Sequence, residues 1–330
     1  MSPSGNFVLR ILRNTVQRSL RSMAINQSAM MTVLDVRSTA DFERLHRAGS
    51  ANIPLEELTR RIHELPPRSV PVTIYDENPT RARWAASRLR VRERTVAGVV
   101  HGETWLTLGP TQNGPSRVRL WQPHELLKAA VEIASNAWGK VARSADSDSV
   151  RSTTRSGPTG KFAQLPDPPR ALDIACGTGR DAVYLALCGF EVEAWDILPD
   201  AINRCQELAV RNGVTIKTRC RDVVQDTTIA PARHDLVCCF NFLHRPLFSS
   251  MLEAVRPGGL IVCETFVEPQ RAIFGKPVRA AHVLQSGELL AAFSSCEVLL
   301  YREGLAGPRR YAASLIARRP SSSIDPAIRP

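Results

Sequence analysis

Four residues near the middle of the chain have the types and spacing of a nucleotide-binding turn. Gly177 and Gly179 lie in "CGTG", between the apolar run "ALDIA" and a segment with helical spacing of its apolar residues. Glycines here let the backbone approach a ligand closely, because no Cβ intervenes. Asp173 lies inside the first apolar run, and Asp196 ends a second run, "EVEAWD", where a carboxylate can bind ribose hydroxyls. This pattern predicts the binding of a nucleoside-containing cofactor.

The glycine spacing distinguishes two classes of such cofactors. A nicotinamide-binding turn has a third glycine in G-x-G-x-x-G, but this chain has Ala182 at that position. The arrangement D-x-x-x-G-x-G instead resembles motif I of the class I S-adenosylmethionine (SAM) methyltransferases, in which the turn approaches the amino-acid part of SAM. Asp222, after the strand-like "TIKTRC", resembles the acidic residue that this family places near the adenine.

Within these methyltransferases, residues 170–319 are similar to the tellurite-resistance and thiopurine-type small-molecule group. The stretches that carry the likeness are "GRDAVYLAL", "GELL" and the ending from "YREG" to "ASLIAR". The resemblance implies an α/β, Rossmann-like domain with a parallel sheet and an antiparallel last strand. It implies SAM as the cofactor and a small molecule as the methyl acceptor. The cofactor contacts that it implies are Asp173, Ala175, Gly177, Gly179, Asp196, Ile197, Asp222, Val223 and Asn241.

The segment after the fourth predicted strand, "NFLHRP", offers side chains for the transfer step. Methyl transfer to a soft anionic nucleophile such as sulfide, selenide or a thiolate needs mainly proximity, alignment and desolvation. His244 can deprotonate a thiol, since the ordinary histidine pKa is about 6.5, and Arg245 can hold an anionic acceptor. The alternative is that both merely cap the following helix. Glu264 and Phe266, at the end of the fifth strand, are expected to face the same rim.

All eight cysteines lie between Cys176 and Cys296, several of them in apolar strand-like runs. They form no CxxC pair or His/Cys cluster of the kind that binds zinc. We interpret them as mostly buried thiols of a reducing compartment rather than as a disulfide framework. Cys176, inside the glycine turn, is interpreted as a small residue needed where backbone meets cofactor, not as a nucleophile. Cys238 and Cys239 are expected in the core on opposite faces of one strand.

The first half of the chain resembles a different family. "VLDVRSTADFERLHRAGSANIPLEEL" is similar to the opening of a rhodanese domain, and "VVHGETWLTLGP" is similar to its closing segment. In that family a sulfur-carrying cysteine follows the strand that reads "VTIY" here, but this chain has Asp76 at that position. A carboxylate cannot carry a sulfane sulfur, and it repels an anionic acceptor. The resemblance therefore implies a catalytically inactive rhodanese-like domain over residues 31–117, fused ahead of the methyltransferase domain.

Two helices are expected near the boundaries of this domain. "LEELTRRIHEL" has the spacing of an amphipathic helix with Leu55, Leu58, Ile62 and Leu65 inward. A second helix is predicted after Pro123, as part of a connector over residues 118–169. The rest of that connector is rich in Ser, Thr and Pro and is expected to be a flexible linker. Residues 320–330 are predicted to form a tail.

The N-terminal segment indicates where the protein goes. Its first 34 residues contain no Asp or Glu but carry four arginines beside an apolar stripe. An acid-free amphipathic segment of this kind predicts a mitochondrial or other organelle transit peptide over residues 1–30. The alternative is a disordered basic tail. A second start at Met30 or Met31 would give an untargeted, cytoplasmic form.

Three functions remain open from the sequence of 330 residues, which is long enough for two domains. The first is a small-molecule methyltransferase. The second is an organellar RNA or protein methyltransferase, suggested by the net charge of +11 and by an arginine-rich stretch. Against it, no RNA-binding motif is present and aromatic residues make up only 6% of the chain. The third is a non-catalytic assembly protein that retains both folds. The arginines in question are Arg81, Arg83, Arg88, Arg90, Arg92 and Arg94.

Overall fold

The computed structural model describes residues 32–102, 105, 109–145, 162 and 167–321, with residues 139–145 described for their backbone only. The chain divides into two compact units, Met1–Trp121 and Gln122–Pro330. The predicted transit peptide, the final tail beyond Ser321 and most of the predicted flexible linker lie outside the described residues. Among the described helices, none is long and apolar enough to cross a bilayer.

The first unit is built on a four-stranded parallel sheet. In spatial order its strands are β3 (Ser50–Asn52), β1 (Thr32–Asp35), β4 (Val72–Asp76) and β5 (Val96–His101). A short antiparallel pair joins β2 (His46–Arg47) to β6 (Thr111–Gln112). Helix α1 (Thr39–Arg44) follows β1, and helix α2 (Pro79–Arg90) follows β4. Asn78 caps α2, because its side chain accepts the backbone N–H groups of Thr80 and Arg81.

The segment "LEELTRRIHEL" does not form the helix that its spacing predicts. It forms turns and ends in a short 3-10 helix at Ile62–Glu64. Leu55, Leu58 and Leu65 are buried as expected, so the apolar pattern correctly identified the inward residues. Prolines at 54 and 66 bound the segment.

The second unit contains a seven-stranded sheet with spatial order β12-β13-β11-β10-β7-β8-β9. These strands are β7 (Arg170–Ile174), β8 (Glu191–Asp196), β9 (Lys217–Cys220), β10 (His234–Phe240), β11 (Val255–Phe266), β12 (Glu297–Gly307) and β13 (Arg310–Arg318). The five strands from β11 to β9 are parallel, and β13 is antiparallel to both of its neighbours. The predicted parallel sheet with antiparallel last strands is therefore confirmed.

Helices cover the second sheet. They are α3 (Glu125–Ala145), α4 (Arg180–Leu187), α5 (Pro199–Arg211), α6 (Leu247–Ala254), α7 (Glu268–Phe274) and α8 (Glu288–Ala292). Helix α3 follows Pro123, where the sequence predicts it. Leu127 and Val131 of α3 are buried in one cluster with residues of β7 and β10. The predicted connector helix therefore forms part of the core of the second unit.

The strand order places the candidate site. From β7 the chain adds β8 and β9 on one side, and β10 and β11 then follow on the other side. The sheet therefore has its topological switch point between β7 and β10. Ligands of open α/β sheets bind beyond the carboxyl ends of the strands at this point. The glycine turn follows β7 directly, so the fold brings it to the expected crevice.

Candidate active site

The glycine turn has a backbone that its two glycines make feasible. Gly177 has φ +54° and Gly179 has φ +81°, both in the left-handed region. A Cβ on Gly179 would lie 2.2 Å from Sγ of Cys205, so a larger residue cannot fit. A Cβ on Gly177 would meet nothing within 4 Å. Gly179 is thus required for packing, whereas Gly177 leaves a face of the turn open to a ligand.

Asp196, at the end of β8, holds this turn. Its Oδ2 accepts the N–H of Gly177 at 2.8 Å, and its Oδ1 accepts the N–H of Leu198 at 2.9 Å. The carboxylate thus joins the ends of β7 and β8 in addition to offering its remaining lone pairs to a ligand. Ile197, the next residue, is exposed beyond the strand end.

Two acidic side chains lie next to the turn, one buried and one partly exposed. Asp173 is 2% exposed, and its Oδ2 has no hydrogen-bond partner in the described part of the chain. Burial, reinforced by the charge of Asp181, raises the pKa of Asp173 well above its usual range. Burial also raises the pKa of Asp181, whose Oδ1 accepts the N–H of His124 at 2.6 Å. This pair of acids is suited to a cationic group of a ligand, which would offset their mutual repulsion.

The neighbouring strand ends carry the remaining predicted cofactor residues. Asp222, after β9, accepts the N–H of Val224 at 2.9 Å and closes a turn there. Val223 is buried in the hydrophobic core, so its side chain is not available at the surface. Ala175 and Asn241 both have φ +57°, although neither is glycine. Such strained residues concentrate at functional sites, and these two follow the strands on either side of the switch point.

Glu264, in β11, is the centre of a polar network rather than a free carboxylate. Its Oε2 accepts the hydroxyl of Ser314 at 2.6 Å and a more distant Arg302 Nη2 at 3.4 Å. Its Oε1 accepts Nη2 of Arg310 at 2.8 Å and Nε2 of His124 at 3.1 Å. Burial raises the pKa of Glu264, but His124, Ser314 and Arg310 together hold it well below its usual range.

Glu264 lies near the end of its strand, as the sequence predicts, and its contacts there give it a structural role. Its oxygens face four partner side chains, so it remains ionised and is poorly suited to accept a proton. Arg310 connects the network to the strand end after β10, because its Nη2 also donates to Oδ1 of Asn241 at 2.7 Å. The Arg310 guanidinium lies 5.1 Å from the ring centre of Phe266. Glu264 thus positions residues of the site.

His244 and Arg245 differ in their surroundings. The guanidinium of Arg245 binds both oxygens of Glu288 and the backbone carbonyls of Ala281 and Val283. Arg245 therefore anchors the segment before α8. Its N–H donors bind these protein groups and are not directed toward a methyl acceptor, which is the role that the sequence suggests. His244 is half-buried and lines a recess at the ends of β10 and β11.

This recess is shallow, with a cavity volume of about 10 Å³, which is roughly the space of one water molecule. Apolar and sulfur-containing side chains dominate its lining, which includes Cys239, Cys263, Met251, Phe242 and Phe248. Cys239 and Cys263 face each other in register on adjacent strands. Burial raises the pKa of the Cys239 thiol to about 12, so it stays neutral at physiological pH. The recess is thus mostly apolar, and its polar lining residues are His244, Glu264 and Thr265.

The expectations about cysteines are met in most positions. Cys238 and Cys239 are buried in different hydrophobic clusters, on the two faces of β10. All eight cysteines are free thiols, and six of them are buried. Cys176 is half-buried in the glycine turn, and Cys220 is exposed.

Sequence reasoning missed three side chains of this site: His124, Arg310 and Ser314. The stretch "LWQPHEL" gives one signal for His124, because a polar residue after a proline often precedes a helix. Its Nδ1 accepts the N–H of Leu126 at 3.2 Å, which leaves Nε2–H to donate to Glu264. Its ring stacks on Phe240, with ring centres 4.1 Å apart. No local pattern marks Arg310 and Ser314, because only strand register brings them to Glu264.

In the first unit, Asp76 ends β4 and is buried. Its Oδ1 accepts the N–H of Asn78 at 2.9 Å, and its Oδ2 accepts Nε of Arg81 at 3.0 Å. Arg81 also pairs with Glu56. The carboxylate of Asp76 thus accepts an N–H group of its own loop. In a catalytic loop such N–H groups would face a substrate instead.

Comparison with known proteins identifies the chemistry of the second unit. Residues 171–259 match the family model described as a methyltransferase domain. The chain is 26% identical over 152 residues to a probable SAM-dependent methyltransferase, TehB of Haemophilus influenzae, covering 43% of this chain and 51% of that protein. The crystal structure of TehB aligns with a TM-score of 0.40 at 23% identity, covering 48% of this chain and 59% of that one.

Two further relatives differ in how much of the chain they match. A ubiquinone biosynthesis O-methyltransferase of Chromobacterium violaceum is 31% identical over 120 residues, covering 35% of this chain and 52% of its own length. An uncharacterised protein of Schizosaccharomyces pombe, UNK4.09, is 22% identical over 316 residues, covering 80% of this chain and 85% of its own length. The chain thus spans about half the length of the methyltransferases that it matches. The match to the fission yeast protein extends over both units.

The second unit contains a SAM-dependent methyltransferase domain, and its cofactor is SAM. The residues at the switch point fit this cofactor. The open face of Gly177 leaves room for the ligand beside the backbone. The Oδ2 of Asp173, which has no hydrogen-bond partner among the described residues, suits together with Asp181 a ligand that carries an ammonium and a sulfonium charge.

Proposed function

We propose that this protein transfers the methyl group of SAM to a small soft nucleophile, such as a thiol, sulfide, or a selenium or tellurium species. The observation that carries the proposal is the recess lined by sulfur-containing and aromatic side chains. It lies at the same edge of the sheet as the glycine turn. A polarisable nucleophile loses little hydration on entering such a space, whereas a hard oxyanion would lose much more.

SAM supplies an electrophilic methyl group on a sulfonium centre. The chain supplies binding and alignment, which can account for most of the acceleration of such a transfer. Asp196 and the two glycines hold the turn open toward the cofactor, while Asp173 and Asp181 favour its positive charges. His244 is the residue that can take the proton of a neutral thiol at the edge of the recess. Glu264 stays ionised and fixes Arg310 and His124 around it.

The first unit is proposed to be a rhodanese-like domain without sulfurtransferase activity. Asp76 in place of a nucleophilic cysteine, and the use of its carboxylate within its own loop, support this assignment. The domain would then act as a binding or assembly surface. An import signal in residues 1–30 is proposed to direct the protein to mitochondria or another organelle.

The arginines of the first unit favour a small acceptor over RNA. Arg81 is held by Asp76 and Glu56, and Arg94 donates to the carbonyls of Pro66 and Ile62. Arg88 donates to the carbonyl of Leu55, and Arg92 donates to that of Arg88. Four of the six arginines of the stretch are thus engaged within the unit, which weakens the case for a phosphate-binding surface.

The experiment combines SAM binding with acceptor competition. The purified protein is titrated with SAM by calorimetry and then assayed for methyl transfer to sulfide, small thiols, selenide and a catechol. We expect SAM binding, with transfer to sulfur or selenium acceptors at least about tenfold faster than to the catechol. Faster catechol methylation would replace the soft acceptor by a phenolic one, as the name of the Chromobacterium relative would suggest. Binding without transfer to any of them would favour a macromolecular acceptor, and absence of binding would overturn the enzyme proposal.

A further inference from the structure

We infer that one edge of the second unit is a membrane-docking surface, which binds the headgroup region of an anionic lipid bilayer. This docking surface comprises the end of α7, the loop after it and the strand ends around the turn between β12 and β13. Its residues are Ile273, Phe274, Lys276, Val278, Arg279, Leu305 and Arg309. The inference goes beyond methyl transfer and does not rest on it.

Contacts between α7 and β13 bring these segments together. The backbone N–H of Tyr311, in β13, donates to Oε1 of Gln270, in α7, at 2.7 Å. The ring of Phe274 lies 6.2 Å from that of Tyr311 and 5.6 Å from the guanidinium of Arg309. Leu305 is paired directly opposite Tyr311 in the antiparallel ladder, so their side chains share one face of the sheet. The helix end and the strand turn thus form one continuous surface.

Three aliphatic side chains of the docking surface are exposed to solvent. The exposed fraction is 58% for Ile273, 76% for Val278 and 66% for Leu305. A single exposed aliphatic residue is ordinary, but several on adjoining segments mark a surface that interacts with something apolar.

The cations of the docking surface select the partner. Lys276, Arg279 and Arg309 are exposed among the aliphatic residues, and none of them forms a salt bridge within the described part of the chain. In an interfacial membrane site, aliphatic side chains enter the boundary of the acyl chains while neighbouring cations face anionic headgroups. The docking surface has both kinds of group, side by side.

The acidic residues nearest to these cations already have other partners. Glu268, the acidic residue of α7, binds Arg271 at 2.6 Å. Glu303 of β12 accepts the hydroxyl of Tyr301 and the N–H of Gly287. The three cations are therefore left to attract an anionic surface from outside the chain.

A bilayer fits this surface better than a folded protein partner does. A stable protein interface takes about 20–30 residues from each side, far more than the docking surface offers. An interfacial membrane site needs only a few aliphatic side chains beside cations. Arg310, next to Arg309, donates to Oδ1 of Asn241. A docked molecule would thus hold the mouth of the candidate active site beside the bilayer.

The test is flotation of the full chain with lipid vesicles, without SAM or a methyl acceptor. One set of vesicles is phosphatidylcholine, and the other is an equal mixture of phosphatidylcholine and phosphatidylglycerol. We expect the protein to float with the anionic vesicles at least about tenfold more than with the neutral ones. High salt should weaken this binding, because it screens the attraction of the cations to the headgroups.

Two double variants test the two kinds of group. Lys276→Ser with Arg279→Ser should lower vesicle affinity at least about tenfold, since each cation near an anionic surface contributes roughly fivefold. Val278→Ser with Leu305→Ser should also lower it at least about tenfold, because the aliphatic groups no longer enter the bilayer. Thermal unfolding should match wild type for both, because all four side chains are exposed.

The matched controls remove the same kinds of group elsewhere. Val210→Ser changes a residue that is 77% exposed at the end of α5, which packs on the other side of the sheet order, beside β8 and β9. Arg83→Ser with Arg90→Ser removes two exposed charges from α2 of the first unit. Both controls should bind anionic vesicles as wild type does.

The outcomes do not depend on methyl transfer, so they are separate from those of the proposed function. Absence of flotation with anionic vesicles would overturn the inference. Binding that is lost in the Arg83 and Arg90 control but kept in the docking-surface variants would also overturn it. A concentration-dependent dimer that Val278→Ser with Leu305→Ser dissociates, without flotation, would assign the surface to a second copy of the chain instead.

Discussion

His124 donates from Nε2 to Oε1 of Glu264 at 3.1 Å, a contact that links the start of α3 to β11. The same histidine donates its backbone N–H to Asp181 at the start of α4. His124 thus contacts both Asp181, next to the glycine turn, and the polar network around Glu264. The segment before β7 is therefore part of the site and not only a connector. Truncating the methyltransferase domain at residue 170 would remove it.

Replacing Glu264 by glutamine should destabilise the second unit. Removing a buried charge leaves Arg310 and Arg302 facing a neutral amide, which costs about 3 kcal/mol. The folded-state pKa of Glu264 is depressed, so its stabilisation is complete above its unfolded pKa of about 4.3 and is lost as pH falls toward the folded pKa. Urea unfolding of wild type and Glu264→Gln should therefore differ most at pH 7, and the difference should shrink progressively as pH falls from about 4.3 toward the folded pKa.

The control for this comparison is Glu297→Gln. Glu297 pairs with Arg318 on the exposed edge strand β12, where an ion pair contributes at most about 1 kcal/mol. The Glu297→Gln variant should show little loss of stability at pH 7 or at acid pH. A constant difference between wild type and Glu264→Gln across the acid range would mean that the lost contact is not the ionised carboxylate.

The two glycines of the turn should respond differently to alanine. Gly179→Ala places a methyl group against Cys205 at φ +81°, which combines a backbone cost of about 1–2 kcal/mol with overpacking of about 1–3 kcal/mol. Gly177→Ala meets no neighbour, so only the backbone cost of about 1–2 kcal/mol applies. We expect thermal unfolding to show a severe loss for the first variant and a mild one for the second.

Calorimetry completes the comparison of the glycines. Although Gly177→Ala should remain folded, its methyl group occupies the open face of the turn, and SAM affinity should fall at least about tenfold. Unchanged SAM affinity in folded Gly177→Ala would show that the cofactor lies elsewhere.

The sequence predicts the second unit better than the site within it. The alternation of apolar runs and helical spacing predicts the strands and helices themselves. Asp173, Gly177 and Gly179 lie at the switch point, as expected. Local pattern cannot give Arg310 or Ser314, because β13 is antiparallel and its register alone sets them opposite Glu264. The role of Arg245 is likewise fixed by Glu288, 43 positions away.

The first unit shows a different limit. The leucines of residues 55–65 are inward as predicted, yet they pack from turns and a 3-10 helix. Spacing reports which side chains are buried, but it does not by itself fix the backbone conformation that buries them.

His244→Ala and Arg245→Ala should separate chemistry from structure. His244→Ala should leave SAM affinity unchanged and lower kcat for a neutral thiol about 100-fold, because it removes a general base. The loss should shrink as pH rises above the acceptor's own pKa of about 8.5, where thiolate forms without a base. Arg245→Ala should instead lower the unfolding temperature, since it frees Glu288 and two carbonyls.

The measurements are methyl-transfer kinetics from pH 6 to 10 and thermal unfolding of both variants. A pH-independent loss in His244→Ala would remove its assignment as a base. If Arg245→Ala kept full stability but raised KM only for anionic acceptors, the substrate-binding role suggested by the sequence would hold instead.

Asp76→Cys should not create a sulfurtransferase. The substitution removes the acceptors for the N–H of Asn78 and for Nε of Arg81, which costs about 1–3 kcal/mol. The loop "ENPTR" would have to receive a persulfide, but it contains no glycine. Its Asn78 is already used to cap helix α2. Urea unfolding and thiocyanate formation from thiosulfate and cyanide test both expectations. Asp76→Asn is the matched control, because its amide oxygen keeps the bond to Asn78, whereas its NH2 group replaces the oxygen that accepts from Arg81 and so removes that ion pair and its hydrogen bond. Rapid thiocyanate formation by Asp76→Cys would show that the loop retains a working anion cradle and that only the nucleophile has been lost.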